Sequence, residues 1–188
     1  MARAVCISTR LAPRRSGRTL RLNMGASGWN YFVPYQADVE VALQRLRAEV
    51  FERGEYGQGQ GIPPDVLANI PPEVKGALQA LRDLDSQRLS GPFDTIDELL
   101  EGAAESGTHS ILDIQRTAEA PDFAVAWPAP SEAINQVYNR VRPSHQQIEA
   151  HAGELSQALE LEGWQAAYVI VYDHERPTEI YFEGVSGD

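Results

Sequence analysis

The chain contains only one cysteine, Cys6, which lies close to its start. The residues after it have no thiol and cannot form disulfides with one another, which is typical of proteins in a reducing cytoplasm. Long apolar runs are also absent. The longest, Ala166–Tyr172, has the length of a strand and falls far short of the ~20 residues that a membrane-spanning helix needs. We therefore expect a cytoplasmic protein with no membrane span.

Basic residues are scarce except at the start of the chain. Residues 1–23 contain six arginines and no Asp or Glu, although the whole chain has sixteen Lys and Arg and twenty-seven Asp and Glu. From Met24 onward, ten basic residues oppose twenty-seven acidic ones, a net charge of −17 against −11 for the whole chain. We expect this acidic part to repel nucleic acid and anionic membranes and to favour a protein partner with a basic surface.

The change in charge divides the chain into a basic, disordered tail at residues 1–23 and a single acidic domain at residues 24–188. An arginine-rich, acid-free segment is typical of an organellar transit peptide or of a nucleic-acid-binding arm. The third interpretation is an over-extended start, with translation beginning at Met24. We favour the third, because the tail lacks the apolar periodicity of a packed element.

Local patterns predict a mixture of helices and strands. The predicted strands cover 29–33, 108–114, 123–127, 165–172 and 178–182. The predicted helices cover 38–53, 74–84, 95–107, 131–139 and 144–163, and those at Thr95 and Ser144 begin with capping boxes. A Gly- and Pro-rich loop is predicted at 55–72.

The predicted fold class is α+β. We expect one mainly antiparallel sheet of about five strands, with amphipathic helices packed on one face of it. The short connection at residues 173–177 contains a proline, which predicts that the last two strands form a C-terminal β-hairpin.

Two groups of residues are candidates for a functional site. The catalytic candidates are His109, Asp113 and Arg142, although a strand at 108–114 would separate His109 from Asp113 by roughly 13 Å. The histidines on the predicted last helix lack the spacing of a helical zinc site, and no metal site or cofactor is predicted. The binding candidates are Tyr35, Glu179, Tyr181 and Glu183, of which the last three share one face of the last strand.

Three segments resemble a set of small acidic bacterial proteins that have no assigned activity. These segments are Trp29–Tyr35 (WNYFVPY), Gly107–Ile114 (GTHSILDI) and Glu179–Gly184 (EIYFEG). The similarity spans about residues 29–188 and leaves out the tail. It implies a bacterial cytoplasm and supports the over-extended start, and it implies no catalytic residue.

The sequence leaves two functional hypotheses open. The first is a small acidic interaction protein that binds a protein partner and regulates or inhibits it, in an immunity or antitoxin-like role for example. The alternative is a small enzyme or ligand-binding protein with a polar pocket near His109, Asp113 and Arg142. The alternative would be favoured if these three side chains converged in one cleft of the fold.

Overall fold

The computed structural model describes residues 27–57, 71, 74–76, 93–105 and 107–187. The tail, most of the Gly- and Pro-rich loop and most of the helix predicted at 74–84 lie outside the described residues. The strands are β1 (Gly28–Pro34), β2 (Arg116–Thr117), β3 (Val125–Pro128), β4 (Gln165–Asp173) and β5 (Arg176–Val185). The α-helices are α1 (Val39–Arg53), α2 (Ile96–Gly102), α3 (Ser131–Tyr138), α4 (His145–Glu149) and α5 (Glu154–Ala158), and a 3₁₀ helix spans Ile111–Asp113.

The five strands form one sheet in the order β1-β5-β4-β3-β2. β5 pairs antiparallel with both β1 and β4, which confirms the α+β class and the C-terminal hairpin. β3, however, pairs parallel with both β4 and β2, so the sheet is mixed and the prediction of a mainly antiparallel sheet is wrong. The chain runs from β3 through three helices before it enters β4, which is the long connection that parallel strands need.

Helices cover both faces of the sheet, and the prediction of helices on one face is therefore wrong. β1, α1, α2 and the 3₁₀ helix contribute to one buried cluster, and α3, α4 and α5 contribute to another. β5 supplies both clusters, because successive side chains of a strand point to opposite faces. Ile180 and Phe182 lie in the first cluster, and Tyr181 and Val185 lie in the second.

Helix α1 matches its prediction closely. The side chain of Asp38 accepts a hydrogen bond of 3.2 Å from the amide of Val41, which caps the N-terminus. The helix ends at Gly54, whose φ of 64° is left-handed. Val39, Leu43, Leu46 and Val50 recur at the spacing of one helical face, which predicts an apolar stripe, and Leu43 and Val50 are fully buried on it.

The helix predicted at 144–163 is interrupted. Ser144 and Gln147 form the predicted capping box at the start of α4. Gly153 then adopts a φ of 85°, which breaks the helical path before α5 begins. Of the apolar residues that recur at helical spacing here, Ile148 and Leu155 are fully buried, whereas Ala152 is exposed at the break.

Of the helices that the structure describes, none combines the length and the apolar character needed to cross a lipid bilayer.

Candidate functional site

The segment that contains His109 and Asp113 is a loop followed by the 3₁₀ helix, and the strand predicted at 108–114 is wrong. Gly107 and His109 have φ angles of 75° and 55°, which a strand does not tolerate. The hydroxyl of Ser110 accepts from the amide of Leu112 at 3.2 Å and caps the 3₁₀ helix. The separation of roughly 13 Å expected for a strand does not apply to this compact turn.

Asp113 is buried and ties this loop to the end of β5. One carboxylate oxygen accepts a 2.6 Å hydrogen bond from the amide of Thr108, and the other accepts a 2.6 Å bond from the hydroxyl of Ser186. Burial raises the pKa of Asp113, and the hydrogen bonds from Ser186 and Thr108 and the charge of His109 offset this in part. The carboxylate is therefore an anchor that holds the loop against β5.

His109 is partly buried beside this anchor. Its Nδ1 atom is hydrogen-bonded to the hydroxyl of Ser27, at the residue directly before β1. Its charge also lowers the pKa of Asp113. The structure thus brings together a hydroxyl, an imidazole and a carboxylate, which is the set of groups that nucleophilic catalysis uses.

The backbone is tightly packed at the same end of the sheet. A Cβ atom on Gly187 would lie 1.8 Å from the ring of Trp164, so only glycine fits beneath that ring. Three non-glycine residues here have a positive φ, namely His109, Ala124 and Trp164, at 55°, 55° and 59°. Such conformations cost energy and concentrate at functional sites.

Arg142 lies at the opposite end of the sheet. Its guanidinium forms an ion pair with Glu175 and lies 5.5 Å from the centre of the Tyr172 ring. Glu175 precedes β5, whereas Ser186, the partner of Asp113, follows it. Ten residues of strand separate the two ends by ~30 Å. The structure therefore brings His109 and Asp113 together but does not bring Arg142 to them.

Two of the four binding candidates are buried. Tyr181 and Glu183 face α3, α4 and α5, and their exposed fractions are 0% and 2%. The carboxylate of Glu183 accepts hydrogen bonds from the amides of Gly153 and Ser156, at 3.1 and 2.5 Å, and from the hydroxyl of Tyr181 at 2.6 Å. Polar residues alternating with apolar ones predict a solvated face here, whereas in the structure Glu183 is buried and fixes the start of α5.

The other two binding candidates remain accessible. Tyr35 is 39% exposed just after β1. Glu179 is bonded to Nδ1 of His145 at 2.8 Å, and the ring of His145 in turn packs against Phe32 at a centroid distance of 4.2 Å. Glu179 therefore belongs to a partly exposed polar pair on the rim of the second buried cluster.

Helix α2 and the residues next to it carry a strongly acidic stripe that was not among the predicted sites. Residues 93–105 contain five exposed acidic side chains and no Lys or Arg, the five being Asp94, Asp97, Glu98, Glu101 and Glu105. At 100° per residue, the three carboxylates on the helix fall within about 100° of one another. Leu99, which is fully buried, lies on the other side of α2.

Ion pairing distinguishes this stripe from the acidic residues of α1. Glu49 on α1 is paired with Arg45 at 2.9 Å and with Arg53 at 3.4 Å. Within the described part of the chain, Asp97 and Glu101 form no ion pair with Lys or Arg. Asp97 and Glu101 are therefore less neutralised than Glu49, although the charge of Asp97 also acts on the buried guanidinium of Arg47.

No three His, Cys, Asp or Glu side chains within the described ranges are placed to hold a metal ion. Comparisons of the chain with protein-family models, curated proteins and solved structures return no match.

Proposed function

We propose that this chain is a small acidic interaction protein of the cytoplasm that binds the basic surface of a protein partner and so regulates or inhibits it. An immunity or antitoxin-like role is one form of this function. The observation that carries the proposal is the acidic stripe of α2, where exposed carboxylates are concentrated without basic neighbours in the segment. Charge of one sign on a surface speeds the encounter with a partner of opposite charge and selects against other partners.

The position of α2 suits this role. Its buried side packs through Leu99 into the first cluster, beside the 3₁₀ helix. Thr95 caps the helix, because its hydroxyl accepts from the amide of Glu98 at 3.2 Å, and the Glu98 carboxylate accepts from the amide of Asp94 at 3.0 Å. The N-terminus of the helix that carries the stripe is therefore already held in place in the unbound protein.

The experiment is a capture of partners from the native host with the full chain as bait, followed by mass spectrometry. The test variant carries Asp97→Asn and Glu101→Gln, which removes two charges and spares the capping residue Glu98. The control variant carries Glu132→Gln and Glu162→Gln, which removes two exposed charges elsewhere. We expect one basic protein to be captured by the parent and by the control.

The affinity for that protein should fall by about five- to tenfold in the test variant, since each exposed ion pair contributes up to about 1 kcal/mol. Raising the salt from about 0.1 M to about 1 M should weaken binding by the parent, because screening shortens the reach of exposed charges. A captured protein that binds the test variant as tightly as the parent would contradict the role of the stripe.

A second candidate function has one observation in its favour, the contact between the Ser27 hydroxyl and His109. A hydroxyl bonded to an imidazole is the arrangement of a nucleophile and its general base. This observation supports the alternative of a small enzyme or ligand-binding protein. Labelling of Ser27 by a serine-directed phosphonylating reagent, lost in the His109→Ala variant, would favour it over the interaction protein.

A further inference from the structure

The outer edge of β1 exposes hydrogen-bonding groups of the backbone. Tyr35 donates its amide to Thr178, and Ser27 accepts from the amide of Ser186, so the odd-numbered residues of this stretch face β5. The even-numbered residues Gly28, Asn30 and Phe32 consequently direct their N–H and C=O groups away from the sheet. Among the described residues, these groups make no backbone hydrogen bond.

The opposite edge of the sheet is protected by side chains of α1. The carboxylate of Glu40 accepts from the outward amide of Thr117 at 2.6 Å, and the amide nitrogen of Gln44 donates to the carbonyl of Gln115 at 2.7 Å. β2 is also only two residues long. Short length and capped backbone groups are the means by which proteins prevent pairing at an edge strand. β1 is seven residues long, and no side chain in the described part of the chain caps its outward backbone groups.

β1 also lacks the other protective features. Its sequence, GWNYFVP, contains no charged residue, and its pairing with β5 is continuous from Gly28 to Pro34 without a bulge. The only residue that blocks pairing is Pro34, which stands at the end of the strand in an outward position and has no N–H group to offer. The outward groups available for pairing are therefore those of Gly28, Asn30 and Phe32.

We propose that a second copy of this chain pairs with the outer edge of β1, so that two five-stranded sheets join into one. The proposal does not depend on the proposed function. The three outward residues are spaced symmetrically about Asn30. An antiparallel pairing around a two-fold axis at Asn30 therefore matches Gly28 with Phe32 of the other copy, and Asn30 with its own counterpart.

This pairing satisfies the exposed backbone groups and produces favourable side-chain pairs. It forms about six hydrogen bonds between the copies, two for each outward-facing pair of residues. The same axis places Trp29 opposite Tyr31 of the other copy, and aromatic pairs across strands are stabilising. Phe32 of each copy lies opposite Gly28, where an aromatic ring can cover the bare backbone of glycine. With no charge on β1, no like-charge contact opposes the pairing.

The expected dimer is weak and depends on salt. A pairing of this length buries less than the ~1,200 Å² of a standard interface, so we expect a dissociation constant in the micromolar range or above. Each copy has a net charge of −11, and the resulting repulsion is screened by salt. Dimerisation should therefore strengthen as salt is raised, unlike the binding of a basic partner.

The first test is sedimentation equilibrium of the full chain from about 1 to about 500 µM, a range that brackets weak association. The mass of the parent should rise from 20.7 kDa towards twice that value. Asn30→Lys should remain a monomer, because it places two lysines directly opposite each other across the axis. The control Gln136→Lys, which makes the same change of residue charge on the exposed surface of α3, should behave as the parent.

The second test uses only the parent protein, so its result does not depend on whether Asn30→Lys folds. Amide hydrogen exchange of the parent is followed by NMR at low and high concentration. The outward amides of Gly28, Asn30 and Phe32 should become protected only at high concentration, whereas those of Tyr31 and Val33 should be protected throughout.

A monomeric parent at every concentration, or outward amides that exchange equally fast throughout, would overturn the proposal. So would dimerisation of Asn30→Lys with the affinity of the parent, since the copies would then meet at another surface. Protection of the outward amides only when a different protein is added would assign the edge to that protein instead of a second copy.

Discussion

The hydroxyl of Ser186 donates a 2.6 Å hydrogen bond to the carboxylate of Asp113, a residue 73 positions earlier in the chain. Both side chains are almost completely buried. The bond joins the loop after α2 to the end of β5, and the amide of Thr108 donates to the other oxygen of the same carboxylate. These groups are shielded from water. If one of them is removed, no water molecule takes its place as hydrogen-bond partner of the others.

We expect Asp113→Ala to lower the free energy of unfolding by about 2–3 kcal/mol, because it leaves the Thr108 amide and the Ser186 hydroxyl without their acceptor. Ser186→Ala should cost about 1 kcal/mol, since the carboxylate keeps its bonds to Thr108. Urea denaturation measures both. Losses that add fully in the double variant would contradict a direct bond, because residues in contact are expected to be coupled.

The raised pKa of Asp113 predicts a dependence on pH. Above its usual pKa of 3.8, the unfolded chain loses this proton more readily than the folded chain does. This group's contribution to stability is therefore full below pH 3.8 and is lost as the pH rises through the folded pKa. The urea midpoint of the parent minus that of Asp113→Asn should decrease as the pH is raised from about 3.5. A relative midpoint that rises with pH would show that the pKa is lowered instead.

Glu183 provides a test of the buried face of β5. Glu183→Ala should lower the free energy of unfolding by about 3 kcal/mol, because it removes the acceptor of the Gly153 and Ser156 amides and of the Tyr181 hydroxyl. Glu179→Ala, on the same face of the same strand but partly exposed, is the matched control and should cost less than about 1 kcal/mol. Equal losses would indicate that the carboxylate of Glu183 does not hold α5.

His109 is expected to be structural. His109→Ala should lower the free energy of unfolding by about 1 kcal/mol, because the hydrogen bond between the imidazole and the Ser27 hydroxyl is lost. Ser27→Ala should cost a similar amount, and the double variant should cost less than the sum of the two. Metal analysis of the purified parent accompanies the denaturation. Unchanged stability in His109→Ala, together with stoichiometric metal that the variant loses, would favour an enzyme or a metal site.

Deletion of residues 1–23 should leave the thermal midpoint within about 2 °C of the parent, because the tail lacks the apolar periodicity of a packed element. Calorimetry of the full chain and of a chain starting at Met24 measures this. A drop of roughly 10 °C would mean that the arginine-rich tail docks on the acidic domain, and the over-extended start would then be the wrong interpretation of it.

Local signals in the sequence predicted the elements that local interactions determine. The helix α1 and the capping box at Thr95 depend on residues within one or two helical turns, and the structure confirms both. The C-terminal hairpin was likewise predicted from its short connection, and the structure confirms it.

The errors arose where distant partners decide the structure. Glu183 resembles a solvent-facing residue of an alternating strand, but Gly153 and Ser156, some thirty positions earlier, supply the amides that permit its burial. The turn at His109 depends on Asp113 finding Ser186 far along the chain. One signal in the sequence does favour the parallel pair. Two helices are predicted between the strands at 123–127 and 165–172, whereas an antiparallel pair needs only a short turn.

The central place of β5 in the sheet has a consequence for synthesis of the protein on the ribosome. β1 is the first of the described strands to emerge and β5 the last, yet Gly28 pairs with Val185. Trp29, Tyr31 and Phe32 must therefore wait for their partner strand until nearly the whole described chain has been translated. Nascent chains that stall before β5 would expose these aromatic side chains on an unpaired strand, and we expect them to depend on chaperones or to aggregate.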